Sequence, residues 1–207
     1  MLYQSIRDGM SPFMNGITRL LDMCIAFICL IVFSPLFLIC YLSVKYEDGG
    51  TVLFKQERIG KGGKPFYIYK FRTMNAESES DGPQLCGDSQ SDGRLLRVGR
   101  FLRNHHLDEL PQLWNVLVGD MAFVGPRPER SYFIQQILER DDRYTLLYQI
   151  RPGVTSYATL YNGYTDTIEK MLKRLELDLY YLQHRSLTLN IKILLLTFWK
   201  IISGSIF

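Results

Sequence analysis

The stretch MCIAFICLIVFSPLFLICYL, residues 23–42, decides how this chain is built. It carries no charged residue, and as a straight helix it would extend roughly 30 Å, the thickness of the hydrocarbon core of a bilayer. A cleaved signal peptide has a shorter apolar core and a small-x-small cleavage site after it, which this sequence lacks. Residues 23–42 therefore predict a membrane segment.

The pair Ser34-Pro35 lies in the middle of this run. Proline lacks an N–H and its ring clashes with the carbonyl four residues back, on Ile31, so the helix should kink there. The Ser34 hydroxyl can bond a freed carbonyl, which makes the bend tolerable in lipid. The kink is compatible with a helix that crosses the bilayer and with one that dips in and returns.

The charges on either side of the apolar run help to distinguish a crossing helix from a re-entrant one. Basic residues flank it on both sides: Arg7, Arg19, Lys45, Lys55 and Arg58. A crossing helix normally carries its basic excess on the cytoplasmic side only. The flanks therefore suit a re-entrant segment that bends at Ser34-Pro35 and emerges on the cytoplasmic face, and a crossing helix stays an open alternative.

Overall composition excludes one class of partner. The 207 residues carry a formal net charge of +3 at pH 7, whereas nucleic-acid binders normally present a concentrated basic face. We therefore expect no nucleic acid among the partners. Residues 75–93 have few large apolar side chains and predict a mobile loop.

Residues 52–74 predict a small β-hairpin. Two strand-like runs, VLFKQ and FYIYKFRTM, flank the glycine-rich turn RIGKGGKP, and no strand-to-helix context favours a phosphate cradle there. The period of two places Phe66, Ile68, Lys70 and Arg72 on one face of the second strand. That face therefore ends in two cations.

Two later segments have the pattern of amphipathic helices. In RLLRVGRFLRN, residues 94–104, every third residue is an arginine and the apolar residues occupy the other side. In LTLNIKILLLTFWKII, residues 187–202, Phe198, Trp199 and Lys200 suit the headgroup region of a membrane. Both segments predict helices that lie at the membrane surface or pack against the core.

An adjacent pair of carboxylates, Asp108 and Glu109, precedes the segment PQLWNVLVG. Pro111 is typical of the first turn of a helix, so the pair should lie at the amino end of that helix. The helix dipole favours anions there, and we expect both carboxylates to be ionised near neutral pH. Capping of the helix by Asp108 is the structural alternative.

The residues around this pair suggest a site that binds phosphates and a metal ion. Carboxylates near several lysines and arginines, beside a membrane segment, resemble a site for phosphates and a divalent metal. Mg²⁺ in particular binds one or two carboxylates together with substrate phosphates. His105 and His106 lack zinc-ligand spacing to Cys86 or His184, so we expect them to be supporting or surface residues.

The order of these motifs resembles one known family. The block LDELPQLWNVLVGDMAFVGPRPE, residues 107–129, follows FKQERIG and YKFRTM and precedes RPGVT and LDLYY. Nearly the whole chain thereby resembles the bacterial sugar transferase family, in its small monotopic phosphoglycosyl transferases. The resemblance implies an α+β, mostly helical fold with a re-entrant membrane helix in residues 1–46. A membrane-associated catalytic domain, residues 47–207, would combine the small β-hairpin with amphipathic interfacial helices around a cytoplasmic active site.

The resemblance also implies an activity. Such enzymes transfer a sugar-1-phosphate from a UDP-sugar to undecaprenyl phosphate and release UMP at the cytoplasmic face of the bacterial inner membrane. This is the first membrane step of an exopolysaccharide, a capsule, an O-antigen or another surface glycan. Expected partners are the UDP-sugar, undecaprenyl phosphate, membrane lipids, and further copies of the chain or glycosyltransferases.

Residue roles carry over by position. Asp108 matches the family's nucleophile and Glu109 the acid that assists it, as a metal ligand or in proton handling, with Mg²⁺ required and held by both. Arg127, between Pro126 and Pro128, would be a rigid phosphate clamp. The remaining residues expected to bind phosphate or substrate are Lys70, Arg72, Thr73, Arg103 and Arg151.

One segment departs from the family pattern. After RPG the family commonly has Thr-Gly and then Gln, whereas Ser156 and Thr159 stand at those places here. The contacts to nucleotide and sugar in this loop therefore do not carry over. By family analogy alone, we expect an N-acetylated or modified hexosamine. A catalytically silent membrane adaptor is the alternative function, although intact Asp108 and Glu109 argue against it.

Overall fold

The apolar run forms two consecutive helices, α1 (Pro12–Val32) and α2 (Ser34–Asp48), in a computed structural model that describes residues 6–75, 93–163, 165 and 167–203. The described part is α+β and mostly helical, as predicted. The predicted mobile loop, except for its two end residues, lies outside it. The other helices and strands follow in chain order: β1 (Leu53–Ile59), β2 (Pro65–Phe71), α3 (Arg97–Asn104), α4 (Gln112–Val118), β3 (Ala122–Val124), α5 (Ser131–Leu138), β4 (Gly153–Thr155), α6 (Tyr157–Asn162), α7 (Ile168–His184) and α8 (Leu187–Ile202).

The predicted helix break lies at Phe33, between α1 and α2. Ser34 donates its hydroxyl to the carbonyl of Ile31 at 2.8 Å, the carbonyl that the ring of Pro35 obstructs. The predicted helix break and the predicted hydrogen bond from the Ser34 hydroxyl to a freed carbonyl are therefore both confirmed. In the described part of the chain, α1 is the helix long and apolar enough to cross a membrane.

Both ends of this helix pair are tied to the rest of the protein. Before α1, Asp8 pairs with Arg185 at 3.0 Å. At the end of α2, the Glu47 carboxylate accepts hydrogen bonds from the first backbone N–H groups of α3, at 2.5 Å from Arg97 and 3.0 Å from Val98. A carboxylate at a helix amino end is favoured by the free N–H groups and the dipole there.

The β-hairpin is confirmed as two antiparallel strands, β1 and β2, in the register Gln56 to Ile68. Ile68, on the face that it was predicted to share with Lys70, is buried in a cluster with Ala26 of α1 and Val116 of α4. Removal of such apolar surface from water supplies most of the stabilisation. The hairpin thereby connects the N-terminal helix pair with α4.

The predicted helix over residues 94–104 begins three residues later than expected, at Arg97. The preceding residues extend alongside the end of the hairpin region, with a bridge between Met74 and Leu95 and a bond from Leu96 N–H to Thr73 C=O at 3.0 Å. Pairing with a strand outweighs the helical periodicity there, because local propensity is a weak determinant against tertiary contacts.

A second sheet consists of the short parallel strands β3 and β4, paired at Ala122–Gly153 and Val124–Thr155. Its backbones meet closely at two glycines: a Cβ on Gly153 would lie 2.1 Å from the nitrogen of Gly125. This contact places the PRP turn, residues 126–128, beside the RPG turn, residues 151–153.

Helix α7 lies at the centre of the main core. Its residues Leu175, Leu179 and Leu182 are buried against α5, β3 and α8. Tyr181 is fully buried, and its hydroxyl lies 2.7 Å from Oδ1 of Asn190 in α8. The outer side of α8 is exposed, including Trp199 at 69%. This exposed face suits the predicted membrane surface better than a core position does.

Candidate active site

The carboxylate pair lies in a short 3-10 turn, Leu107–Glu109, immediately before α4. His106 precedes the turn with φ 54°, the single positive-φ residue other than glycine in the described ranges. Such a conformation costs energy for a side chain with a Cβ and is frequent at functional sites. No side chain of the described residues caps α4, so the capping role considered for Asp108 is not observed.

Lys70 reaches this pair from the hairpin. Its Nζ lies 2.5 Å from Oε1 of Glu109, and both side chains are about one-fifth exposed. The predicted cationic strand face therefore meets the carboxylates at Lys70. Asp108 itself is buried, at 7% exposure.

Asn115 of α4 holds this helix against strand β2 of the hairpin. It is fully buried in α4, donates to the Tyr67 carbonyl at 2.7 Å and accepts the Tyr69 N–H at 3.2 Å. These bonds hold β2 against α4, with Lys70 next in sequence after Tyr69. Sequence reasoning missed Asn115, although an amide inside an apolar helical pattern is a detectable signal, since buried polar side chains need partners.

Arg103 of α3 supplies a second cation near Asp108. Its Nε donates to Oγ1 of Thr73 at 2.9 Å, so two of the predicted phosphate-binding residues contact each other. A Cβ on Gly99 would lie 2.1 Å from the Thr73 carbonyl, so α3 depends on a glycine to approach this closely. The carboxylates therefore lie among cations from the hairpin and from α3.

The two carboxylates differ electrostatically. Burial raises the pKa of Asp108 to about 6, against the opposing effect of Lys70 and Arg103. Burial also raises the pKa of Glu109, but Lys70 and Arg127 together outweigh it and hold that pKa below its usual range. Near neutral pH both carboxylates are ionised, as predicted, and Asp108 holds the more basic carboxylate.

The PRP turn is anchored through the residue that follows it. Glu129 is buried and pairs with Arg174 of α7 at 2.5 Å and with Arg58 of β1 at 3.5 Å. Arg58 also donates to the Pro128 carbonyl at 3.1 Å. The Arg127 side chain is exposed, between two buried prolines. Its charge acts on Glu109, so Arg127 belongs to the candidate site.

The motif LDLYY contributes a further buried acid to this anchor. Asp178 lies beside Arg174, and burial raises the pKa of Asp178 to about 7. The sequence analysis noted Arg58 only as a cation that flanks the apolar run, and it did not single out Glu129, Arg174 or Asp178. Their charged side chains gave no signal of burial, since lysine, arginine and acids are mostly exposed.

Two predicted phosphate-binding residues lie elsewhere. The Arg72 guanidinium pairs with Asp48 at the end of α2. Arg151 donates from Nε to the Gly119 carbonyl at 2.8 Å, and Arg19 of α1 donates to the neighbouring carbonyls of Val116 and Leu117 at 2.5 and 2.8 Å. Arginines at the carboxyl end of a helix complement its dipole. Arg72 and Arg151 therefore join helices to the body, and the structure does not bring them to the carboxylates.

The carboxylate pair fits the ligand chemistry of Mg²⁺. The described ranges contain no group of three or more His, Cys, Asp and Glu side chains able to hold a metal by themselves. Mg²⁺ usually takes one or two carboxylates and completes its shell with water and substrate phosphates. Asp108 and Glu109 offer that donor set, and Lys70 and Arg103 offer charge for the phosphates.

Comparison with known proteins decides the family. A family model described as bacterial sugar transferase matches residues 13–204. The chain belongs to the bacterial sugar transferase family. This confirms the resemblance found in the motif order.

Relatives of this chain are named as sugar transferases or sugar phosphotransferases. The UDP-N-acetylgalactosamine-undecaprenyl-phosphate N-acetylgalactosaminephosphotransferase of Aeromonas hydrophila is 39% identical over 94% of the chain and 45% of its own length. The UDP-glucose:undecaprenyl-phosphate glucose-1-phosphate transferase of Caulobacter vibrioides is 43% identical over 86% of the chain and 67% of its own length. An uncharacterized sugar transferase of Bacillus subtilis is 38% identical over 89% of the chain and 86% of its own length.

The coverage of these relatives is uneven. The chain spans less than half the length of the Aeromonas relative, and 41% of the UDP-glucose:undecaprenyl-phosphate glucose-1-phosphate transferase of Klebsiella pneumoniae. The names of the relatives specify two different sugars, so they do not select the sugar for this chain.

Proposed function

We propose that this chain transfers a sugar-1-phosphate from a UDP-sugar to undecaprenyl phosphate and releases UMP, as the first membrane step of a bacterial surface glycan. The observation that carries the proposal is the buried Asp108, placed beside the Lys70–Glu109 pair and next to an apolar helix pair. The printed names of the relatives support the same substrate classes.

The first step uses Asp108 as the nucleophile. A carboxylate oxygen of Asp108 attacks the sugar-bearing phosphorus of the UDP-sugar, and the bond from that phosphorus to the bridging oxygen breaks. UMP leaves with that oxygen and its electron pair, and an acyl phosphate joins Asp108 to the sugar. No proton transfer is needed, because the attacking carboxylate is already ionised at neutral pH.

The second step returns the enzyme to its starting state. An oxygen of undecaprenyl phosphate attacks the same phosphorus, and the bond to Asp108 breaks. The products are the undecaprenyl diphosphate sugar and the free carboxylate. Lys70, Arg103 and Arg127 are the cations that would stabilise the charge on the phosphoryl oxygens in both steps.

Mg²⁺ fits this scheme through the chemistry of the carboxylates. Asp108 and Glu109 would hold the ion, which when bound would draw negative charge from the substrate phosphates. Glu109 would assist and would not attack the phosphorus itself, since its carboxylate already pairs with Lys70.

The membrane placement that we propose is re-entrant. α1 packs on the body through Arg19 and Ala26, which leaves its last six residues, 27–32, and the start of α2 for full insertion into lipid. Six residues of helix extend about 9 Å, roughly a third of the hydrocarbon thickness. The outer ends of the pair contact the same body through Asp8 and Asp48, which supports an entry and an exit on one face, the cytoplasmic one.

UMP release tests the activity. Purified protein with Mg²⁺, undecaprenyl phosphate and a panel of UDP-sugars should release UMP with one of them. Asp108→Asn should abolish release, and Asp120→Asn, a nearby acid outside the pair, should retain it. Equal release by Asp108→Asn would overturn the nucleophile assignment. No release by the wild-type chain with any UDP-sugar would favour the silent adaptor.

Cysteine labelling tests the topology. In a background without native cysteines, Arg7→Cys and Tyr46→Cys place exposed thiols before α1 and in the last turn of α2. In sealed, right-side-out cells, an impermeant maleimide should reach neither. Labelling of one position from outside would instead show a crossing helix.

A further inference from the structure

The last turn of α2 carries two carboxylates that bind other parts of the protein. Glu47 accepts hydrogen bonds from the backbone N–H groups of Arg97 and Val98, at 2.5 and 3.0 Å. The next residue, Asp48, pairs with the Arg72 guanidinium, directly after β2. The end of the N-terminal helix pair is therefore bound both to α3 and to the end of the hairpin.

Helix α3 takes its cap from Glu47. Leu96 stands at the N-cap position, and its side chain has no atom that could accept a hydrogen bond from the first turn. Glu47, fifty residues earlier, supplies one carboxylate oxygen to each of two N–H groups that an α-helix leaves unpaired at its start. The start of α3 is thereby fixed to the end of α2.

The last turn of α3 carries Arg103, whose charge opposes the effect of burial on the pKa of Asp108. The helix comprises Arg97–Asn104 and is about 12 Å long. Because so short a helix moves as one unit, a displacement of its first turn also displaces Arg103. The cap on the first turn therefore bears on the place of this cation.

The hydrogen-bond partner of Arg103 is held by the same turn of α2. The Nε of Arg103 donates to Oγ1 of Thr73 at 2.9 Å. Thr73 directly follows Arg72, the residue that pairs with Asp48. Asp48 thus holds the segment that carries Thr73, and Glu47 holds the helix that carries Arg103. Two neighbouring carboxylates therefore determine where this guanidinium lies.

We propose that Glu47 is a positioning residue, which acts through α3 to hold the Arg103 guanidinium beside Asp108. The N-terminal helix pair then does more than enter the membrane, because its last turn fixes one cation of the active site. This inference rests on the proposed function, since Arg103 is one of the cations that would stabilise the phosphoryl oxygens. A small misplacement of such a group is costly for the reaction.

A double-substitution cycle tests whether Glu47 acts through Arg103. Arg103→Met removes the cation and should lower kcat for UMP release about hundredfold. Glu47→Ala displaces the cation without removing it and should lower kcat about tenfold. The double variant should then be no slower than Arg103→Met alone. Independent effects would multiply to a loss of about a thousandfold and would overturn the proposal.

The chain offers a matched control and a milder variant. Glu57 in β1 is exposed, and Glu57→Ala should leave kcat unchanged. Equal losses in Glu57→Ala and Glu47→Ala would reflect net charge alone and would overturn the proposal. Glu47→Gln keeps one acceptor oxygen for α3 and should lower kcat about threefold. It takes the place of Glu47→Ala in the cycle if that variant does not fold.

The kinetic constants separate a displaced cation from a disturbed membrane helix. In Glu47→Ala, the loss should lie in kcat, and the KM for undecaprenyl phosphate should stay within about twofold of the wild-type value. Poor insertion of α2 would instead raise that KM, because the lipid substrate is in the bilayer. A raised KM for undecaprenyl phosphate with kcat unchanged would therefore overturn the proposal.

Hydrogen exchange supplies a readout that needs no turnover. In nanodiscs of phosphatidylglycerol and phosphatidylethanolamine, Glu47→Ala should speed exchange in the peptide that contains Arg97 and Val98 and leave the peptides of α7 unchanged. Unchanged exchange at the start of α3 would overturn the proposal. No UMP release by the wild-type chain with any UDP-sugar would refute the proposed function, whereas multiplicative losses in an active chain would refute the positioning role alone.

Discussion

Replacement of Lys70 by methionine should shift the pH dependence of the reaction. The Lys70 ammonium contacts Glu109 at 2.5 Å and is the strongest influence lowering the pKa of both carboxylates. Burial acts in the opposite direction and already places the pKa of Asp108 at about 6. Without the ammonium, that pKa rises further, because the charged form of Asp108 loses its main stabilising partner.

The size of the shift follows from the proximity of the charges. An opposite charge within a few ångströms typically moves a carboxyl pKa by about one to three pH units. The acidic limb of kcat/KM for UMP release should therefore move to higher pH in Lys70→Met, by about one unit or more. In the protein without metal, the ionised fraction of Asp108 at pH 7 would fall from about nine-tenths to about one-half or less.

The assay is UMP release between pH 5 and 9 at saturating Mg²⁺. Lys70→Arg keeps the positive charge and should leave the acidic limb near that of the wild type. Lys64→Met removes an exposed cation from the same hairpin and should not move it. A uniform loss of rate in Lys70→Met, with the acidic limb unmoved, would refute the electrostatic coupling between Lys70 and Asp108.

Three further substitutions test how the site is held, each read by thermal unfolding in nanodiscs together with UMP release. Asn115→Ala removes two hydrogen bonds between α4 and the hairpin backbone and should cost about 2–4 kcal/mol of stability. A loss below about 1 kcal/mol would show that these bonds do not hold the hairpin against α4. Glu129→Gln removes the carboxylate that pairs with the buried Arg174 and the half-buried Arg58, and it should cost about 3 kcal/mol. Substitution of the exposed Glu139 by Gln should be neutral, and equal effects of the two changes would contradict the anchoring role. Gly153→Ala places a Cβ 2.1 Å from a backbone nitrogen and should cost at least about 2 kcal/mol of stability. The control Gly16→Ala meets open space within α1 and should be neutral or stabilising. A neutral Gly153→Ala would mean that the parallel strands can separate freely.

The parts of the fold that the sequence predicted well are those governed by local chemistry. The break at Ser34-Pro35 follows from the missing N–H of proline and was confirmed together with its bond to Ile31. The hairpin and the start of α4 after Pro111 follow likewise from turn and proline geometry. Here neighbouring residues determine the conformation, so the pattern is sufficient.

The parts that the sequence did not predict depend on distant contacts. Arg72 and Arg151 looked equivalent to Lys70, because a cation near a phosphate motif has the same sequence pattern in any role. Only the tertiary structure shows that Arg72 pairs with Asp48 and that Arg151 binds the carboxyl end of α4. The parallel strands β3 and β4 have three residues each, too few for periodicity to indicate them.

The central claim is that Asp108 forms a covalent bond to the sugar phosphate, and one measurement addresses it directly. The wild-type protein is mixed with Mg²⁺ and the active UDP-sugar without undecaprenyl phosphate, quenched, and measured by intact-mass spectrometry and peptide mapping. We expect a mass increase of one sugar phosphate on the peptide that contains Asp108, its loss on addition of undecaprenyl phosphate, and its absence in Asp108→Asn. A sugar phosphate located on another residue, or UMP formation at the wild-type rate by Asp108→Asn, would contradict the claim.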